Sequence, residues 1–220
     1  HVHTNYSLLD GLSNIDELIK KAKIYGMDSI AITDHGNMFG AYKFYKACKN
    51  NNIKPIIGCE IYLTENIENK NKNSNTYHLI LLAKNNRGYN NLIKITSKGY
   101  VKGFYSKPRV DFAVLNKYSE GLICLTSCLA GPLSKNILKE NNDLLFNSIN
   151  NLKNIFNKDL YIELQDHGMP EQLIVNKSLL KISKQYKIKI VATNDVHYVD
   201  KKDSEAHEIL LSIGTKDVIS

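Results

Sequence analysis

Long apolar runs, paired cysteine motifs and phosphate-binding glycine loops are missing from this chain. No stretch of about 18 apolar residues is present to cross a bilayer, and no charged leader precedes a short apolar segment, so neither membrane insertion nor export is expected. Neither GxGxxG nor GxxxxGKS/T follows an apolar run, which argues against an open nucleotide-binding sheet. Cys48, Cys59, Cys124 and Cys128 are enough for two disulfides. Their apolar surroundings and the lack of an export signal favour reduced thiols in a cytoplasmic protein. Cys124 and Cys128 lack the second ligand pair of a structural zinc finger. Arginine is scarce too: only Arg87 and Arg109 among 29 basic residues are not lysine. The net charge of +7 is thus read either as a compositional bias toward lysine and asparagine or as a footprint for a polyanion, and charge alone does not decide.

What is present is an alternation of short β-like runs with helical patterns. Strands are expected near 28–33, 54–63, 77–83, 121–127, 160–164 and 188–193, and helices near 14–25, 39–50, 86–98, 143–156 and 171–186. In the first helix Ser13 or Asn14 is the cap, Asp16 and Glu17 complement the positive end, Ile15, Leu18, Ile19 and Ala22 line one face, and Gly26 stops it. Such alternation predicts parallel strands with helices outside, closed into a distorted barrel, as one domain over residues 1–220. Residues 64–76 form the one low-complexity stretch, expected as a solvated loop. The chain opens without Met directly on a ligand candidate, which suggests a piece of something longer, with a strand before His1.

Potential metal ligands recur at the ends of these apolar runs. His1 and His3, two apart, share a side in extended backbone; two surface histidines are the bland alternative, disfavoured by the Asp10 and TDHG that follow. In SIAITDHG, His35 is the ligand candidate, Asp34 points the other way and is expected to orient a ligand imidazole, and Gly36 permits a sharp turn. Glu60 is a carboxylate inside the apolar KPIIGCEIYL, where burial demands a partner, whereas Cys59 on the opposite face is read as packing. Cys128 follows LICLTS and as a thiolate suits zinc, and Asp195 and His197 form a second same-side pair after KIVATN. His78 is awkward because it opens its apolar run instead of closing it, which requires a local change of strand direction or register. His167 and His207 are read as non-ligands, with His167 at the rim.

The motifs HVHTNYSLLDG, AITDHGNMFGAYKFYKAC, KPIIGCEIYL, YHLILLAKN, LTSCLAG and ATNDVHY resemble the polymerase-and-histidinol-phosphatase (PHP) domain, in the version found at the start of the bacterial replicative DNA polymerase III alpha subunit. The resemblance covers essentially the whole chain. It implies an α/β fold, a distorted (β/α)7 barrel, with a polynuclear site of up to three divalent metal ions at its mouth. Carried over position by position, it places the ligands at His1, His3, Asp10, His35, Glu60, His78, Cys128, Asp195 and His197. All nine positions hold residues able to bind metal, which favours retained activity over a structural remnant. The family's polymerase site lies beyond residue 220, and Asp217 does not replace it.

The implied function is metal-dependent phosphodiester hydrolysis, removing nucleotides from the 3′ end of a DNA primer as a proofreading exonuclease. Asp34, His35 and Asp195 are expected to carry catalysis. Lys107 and Arg109, in FYSKPRVDF with Tyr105, are candidates to hold phosphate and stack on a base, with a solvated loop as the competing reading. Zinc or manganese is the expected metal, with iron or magnesium as alternatives. Expected partners are DNA, the rest of a polymerase chain and other replisome subunits, with no membrane. Competing readings are a small-molecule phosphatase of the histidinol phosphate type, and a silent metal-stabilised module that braces the polymerase and binds a proofreading partner.

Overall fold

A computed structural model describes residues 1–71 and 74–215; Asp217 lies outside the described residues. In chain order the elements are α1 (Ile15–Ile24), β1 (Ser29–Ile32), α2 (Ala41–Asn50), β2 (Lys54–Leu63), β3 (Tyr77–Ala83), α3 (Asn86–Val101), β4 (Phe104–Tyr105), β5 (Lys107–Val110), α4 (Phe112–Tyr118), β6 (Leu122–Leu125), α5 (Pro132–Leu138), α6 (Asn142–Phe156), β7 (Leu160–Leu164), α7 (Pro170–Tyr186), β8 (Lys189–Ala192) and α8 (Ser204–Thr215). Every expected strand and helix is present. Asn14 is the cap of α1, its side chain accepting from the Asp16 amide, and Ile15, Leu18, Ile19 and Ala22 are buried. Gly26 follows in left-handed backbone (φ 67°).

The strands form one curled sheet in the order β4-β5-β2-β3-β6-β7-β8, with β1 also paired to β2. The ten-residue β2 has room for two neighbours along one edge: its first half pairs with β1 and its last residues with β5, both parallel. Two apolar clusters lie against the sheet, a large one under α3, α6 and α7 and a smaller one between α1, α2 and β1.

One expectation needs correction. The strands are not all parallel, because β3 runs antiparallel to both β2 and β6. The physical reason lies in the connection: a parallel crossover needs a helix or its equivalent, and none is described between β2 and β3. The sheet is a curled half-barrel, and the segment from His1 to Thr4 meets the ends of β1 and β8 through single bridges. Val2 pairs with Val196, and the Thr33 amide donates to the Val2 carbonyl at 2.9 Å.

This topology positions the site. The C-terminal ends of β1, β6, β7 and β8 face one mouth, and the reversal of β3 brings its N-terminal end, with His78, to the same mouth. The awkward position of His78 in sequence is therefore a change of strand direction.

Candidate metal centre

All nine candidate ligands converge at that mouth. Four interlocking groups have donor atoms within 4.8 Å of one another: His3, His35 and His197; His1, His3 and Asp195; His1, Glu60 and Cys128; His35, Glu60 and His78. Asp10, from the loop before α1, joins them with Oδ2 at 2.5 Å from His35 Nε2 and 3.3 Å from His197 Nε2. Glu60, fully buried in β2, is the hub. Its Oε2 lies 2.6 Å from His1 Nε2, and its Oε1 lies 2.7 Å from both His35 Nδ1 and His78 Nδ1. Cys128 Sγ is 4.0 Å from His78 Nδ1.

Local backbone makes the convergence possible. Gly36 takes φ 63° directly after His35, and a Cβ there would lie 2.7 Å from the Pro108 ring, so the chain turns away at a point where a side chain does not fit. Ser127 (φ 67°) and Asp195 (φ 50°) also adopt left-handed backbone. Asp195 and His197 are thus not the extended same-side pair expected; a turn brings both inward, and His197 Nδ1–H donates to the Asp195 carbonyl at 2.9 Å.

Several inward-facing atoms are buried and face one another at ion-pair distance, yet make no hydrogen bond of acceptable geometry: Nε2 of His1 and His3, Nδ1 of His35, both carboxylate oxygens of Glu60, and Asp195 Oδ1. A buried polar atom left unsatisfied costs about 1–3 kcal/mol. Six such atoms facing one another make poor protein and a good cation cage. The outward nitrogens, in contrast, are held. His1 Nδ1 is 2.8 Å from Glu163 Oε1, and His3 Nδ1–H donates to Ser7 Oγ at 3.0 Å. Ligand histidines are oriented in this way in metal sites. The donor set, with imidazole, carboxylate and one thiol, fits divalent transition ions.

The electrostatics point the same way. Burial pushes the Glu60 carboxyl up, but the facing imidazoles of His1, His35 and His78 outweigh it and hold it well below its ordinary value. Burial opposes the charged form of His35 as well, yet Asp10 and Glu60 raise it to about 9. His3, with burial as the main cause and His35 and His1 adding repulsion, falls to about 4. Burial, reinforced by Glu60, lifts the Cys128 thiol to about 11.

Two sequence expectations change in detail. Asp34 touches no imidazole: it accepts from the Thr4 amide at 2.6 Å and from the Ser7 hydroxyl at 2.8 Å, so it reaches His3 only through Ser7. Arg109 is not a phosphate contact. It is buried, and its guanidinium donates to the carbonyls of Gly103, Asn69 and Ile67, tying the β2–β3 connection to β5. Lys107 is exposed, its ammonium 4.5 Å from the Tyr62 ring centroid. His207 Nε2–H donates to the Asp10 carbonyl at 2.7 Å, and His167 Nε2–H to that of Asn194 at 2.9 Å, so both steady the loops around the site.

One carboxylate escaped the sequence reading. Glu163 is buried in β7, contacts His1, and accepts from Gln165 at 3.2 Å and from Thr193. A charged residue inside LYIEL is as anomalous as Glu60 inside its strand, and that signal was available.

The PHP domain profile matches residues 1–167. The chain is 48% identical over 219 residues to the DNA polymerase III subunit alpha of Borreliella burgdorferi, covering 98% of this chain and 19% of that protein. With the same subunit of Aquifex aeolicus it shares 45% identity, covering 100% and 20% respectively. It therefore spans about a fifth of the length of these relatives. Among solved structures, a Bifidobacterium adolescentis protein described as a metal-dependent phosphoesterase superposes with TM-score 0.56 at 14% identity, covering 90% of this chain and 86% of that one. An amidohydrolase of Chromobacterium violaceum with bound sulfate gives 0.57 at 11% identity, covering 96% and 95%. At these identities the likeness is one of fold.

Proposed function

Because this chain belongs to the PHP domain family, we propose that it is the metal-dependent phosphoesterase domain of a longer bacterial replicative DNA polymerase, removing nucleotides from the 3′ ends of DNA primers. The observation that carries this reading is the cage of inward-facing donor atoms around Glu60, crowded within ion-pair distance without hydrogen bonds of their own. Divalent ions bound by these residues would supply a water of lowered pKa and Lewis-acid stabilisation of the phosphoryl group. Zinc or manganese suits the donor set, with iron or magnesium as alternatives.

The chain's own residues have separable roles. His1, His3, Asp10, His35, Glu60, His78, Cys128, Asp195 and His197 hold the ions; Asp34, through Ser7, keeps the proton of His3 on Nδ1 and leaves Nε2 free. Asp10 and Asp195 are the less deeply buried carboxylates, with side chains 30% and 20% exposed, and stand where a substrate enters. Lys107, exposed beside Tyr62 and His78, is placed to meet a phosphate. The partners are then DNA, the rest of the polymerase chain and other replisome subunits in the cytoplasm. No helix among the described residues is long and apolar enough to cross a membrane.

The test is a 3′-labelled primer with a mismatched or single-stranded end, incubated with zinc- or manganese-loaded protein. Labelled mononucleotide should be released, faster from frayed ends because unpairing is easiest there. His35→Ala and Asp195→Asn should abolish release while DNA binding changes little. Intact ends together with hydrolysis of small phosphate esters would establish the phosphatase reading. A metal-dependent rise in Tm with no hydrolysis of either would establish a structural module.

A further inference from the structure

On the His78 side of the centre a groove of about 530 Å³ opens, lined by β5 and the preceding turn, by Thr76 and by α5. His78 belongs both to this groove and to the donor cage, so the two are continuous. Among the described residues the groove's lining contains Lys107, Lys135 and the edge of the buried Arg109, whose guanidinium is committed to backbone carbonyls, and no acidic residue. Among the described residues neither lysine is in an ion pair, although carboxylates crowd the neighbouring site. The Lys135 ammonium donates to the Thr76 carbonyl at 3.2 Å and lies 5.5 Å from the Tyr77 ring centroid, which leaves protons for a further acceptor. Lys107 lies over Tyr62, whose ring packs 5.3 Å from that of His78. Burial, with the nearby charges of Lys139 and Lys107, pulls the Lys135 ammonium below its usual value, a repulsion that a bound anion would relieve.

We infer that Lys107 and Lys135 bind the phosphate one nucleotide inward from the bond being cut, so that the domain selects oligonucleotide strand ends over isolated phosphate esters. The inference rests on the proposed phosphoesterase function and adds the residues that select its substrate. A mononucleotide or small ester has nothing to place in the groove, whereas a strand threads its next phosphate between the two ammonium groups. Recognition of this kind is by charge and independent of sequence.

The experiment compares the parent protein with Lys107→Gln, Lys135→Gln, the double variant and Lys135→Arg. Lys43→Gln and Lys181→Gln, both exposed and elsewhere, control for loss of charge. Binding of a 5′-fluorescein thymidine trinucleotide with phosphorothioate linkages is read by anisotropy across a salt series. The double variant should bind about 10-fold more weakly, and its log K against log salt slope should fall by roughly 1.4, about 0.7 for each lost contact to a single strand. Lys135→Arg should bind within about twofold of the parent, by the retained charge. On a cleavable trinucleotide KM should rise with kcat largely kept, so that the preference for the trinucleotide over bis(p-nitrophenyl) phosphate falls about 10-fold in kcat/KM, whereas Lys43→Gln and Lys181→Gln keep it. Equal trinucleotide binding by parent and double variant, or no binding by the parent, overturns the inference, and hydrolysis of the small diester then still supports a phosphoesterase. Binding that depends on both lysines without hydrolysis of any substrate would sustain the groove and remove the proposed function.

Discussion

Replacing Glu163 by glutamine tests whether the cage is built to hold metal or merely tolerates it. His1 Nδ1 lies 2.8 Å from Glu163 Oε1, with both side chains at most 1% exposed. Glutamine keeps the volume but removes the charge that fixes the proton on Nδ1 and makes Nε2 a stronger donor toward the cage. Its amide nitrogen has no good place to go. Oε1 already accepts from Gln165 and Thr193, and Oε2 is buried without a partner, so a donor in either position is left unsatisfied at about 1–3 kcal/mol. Loss of such an outer partner costs metal affinity typically 10- to 100-fold, or about 1.4–2.7 kcal/mol. Competition with a chromophoric chelator should show an affinity loss in that range, and the gain in Tm on adding metal should shrink. Metal affinity within about twofold of the parent, in a variant that folds normally, would refute the reasoning.

Two further predictions follow from the same geometry. His35 has its pKa raised from 6.5 to about 9, and those of His1 and His197 are also raised; a raised group stabilises the fold below its unfolded pKa and loses that contribution as pH rises through the folded value. Chelated protein should therefore lose stability between about pH 6.5 and pH 9, His35 alone contributing on the order of 3 kcal/mol, whereas the Tm gain from added metal should grow over that window as ion binding displaces the protons. Tm measured at both ends with and without chelator checks this, and a chelated protein that gains stability upward through the window would contradict it. Arg109→Met should destabilise the fold by about 3 kcal/mol or more, because it strips donors from three carbonyls, yet leave metal content unchanged. Denaturant titration with metal analysis decides: normal stability with lost DNA binding would return Arg109 to the substrate.

The features legible in sequence were those in which one residue violates its local environment. Glu60 stood out because a carboxylate does not enter an apolar strand without partners, and His35 because the run ends on it before a glycine. The same logic holds for Glu163, a buried carboxylate inside the apolar run LYIEL. Arg109 was misread because arginine is usually exposed. Only the folded chain reveals that the carbonyls of Ile67, Asn69 and Gly103 need a donor there. The short α4 and α5, seven residues each, span about two turns, too few for a helical period to register. Lys135 belongs to α5, so the cationic groove was invisible with it. The all-parallel arrangement failed at one connection: alternation of β and α elsewhere concealed that, among the described residues, no helix joins β2 to β3.

The central claim is that one cage of nine residues holds more than one ion, since nine donors exceed the four that a single zinc normally takes. The most direct measurement is elemental analysis of protein purified without added metal, with anomalous scattering from crystals of the same preparation. Two or three metal peaks should lie in the volume bounded by His3, His35, Glu60 and Asp195, with matching stoichiometry. A single four-coordinate ion there, or stoichiometric protein with no ion bound after incubation with zinc and manganese, would contradict the account.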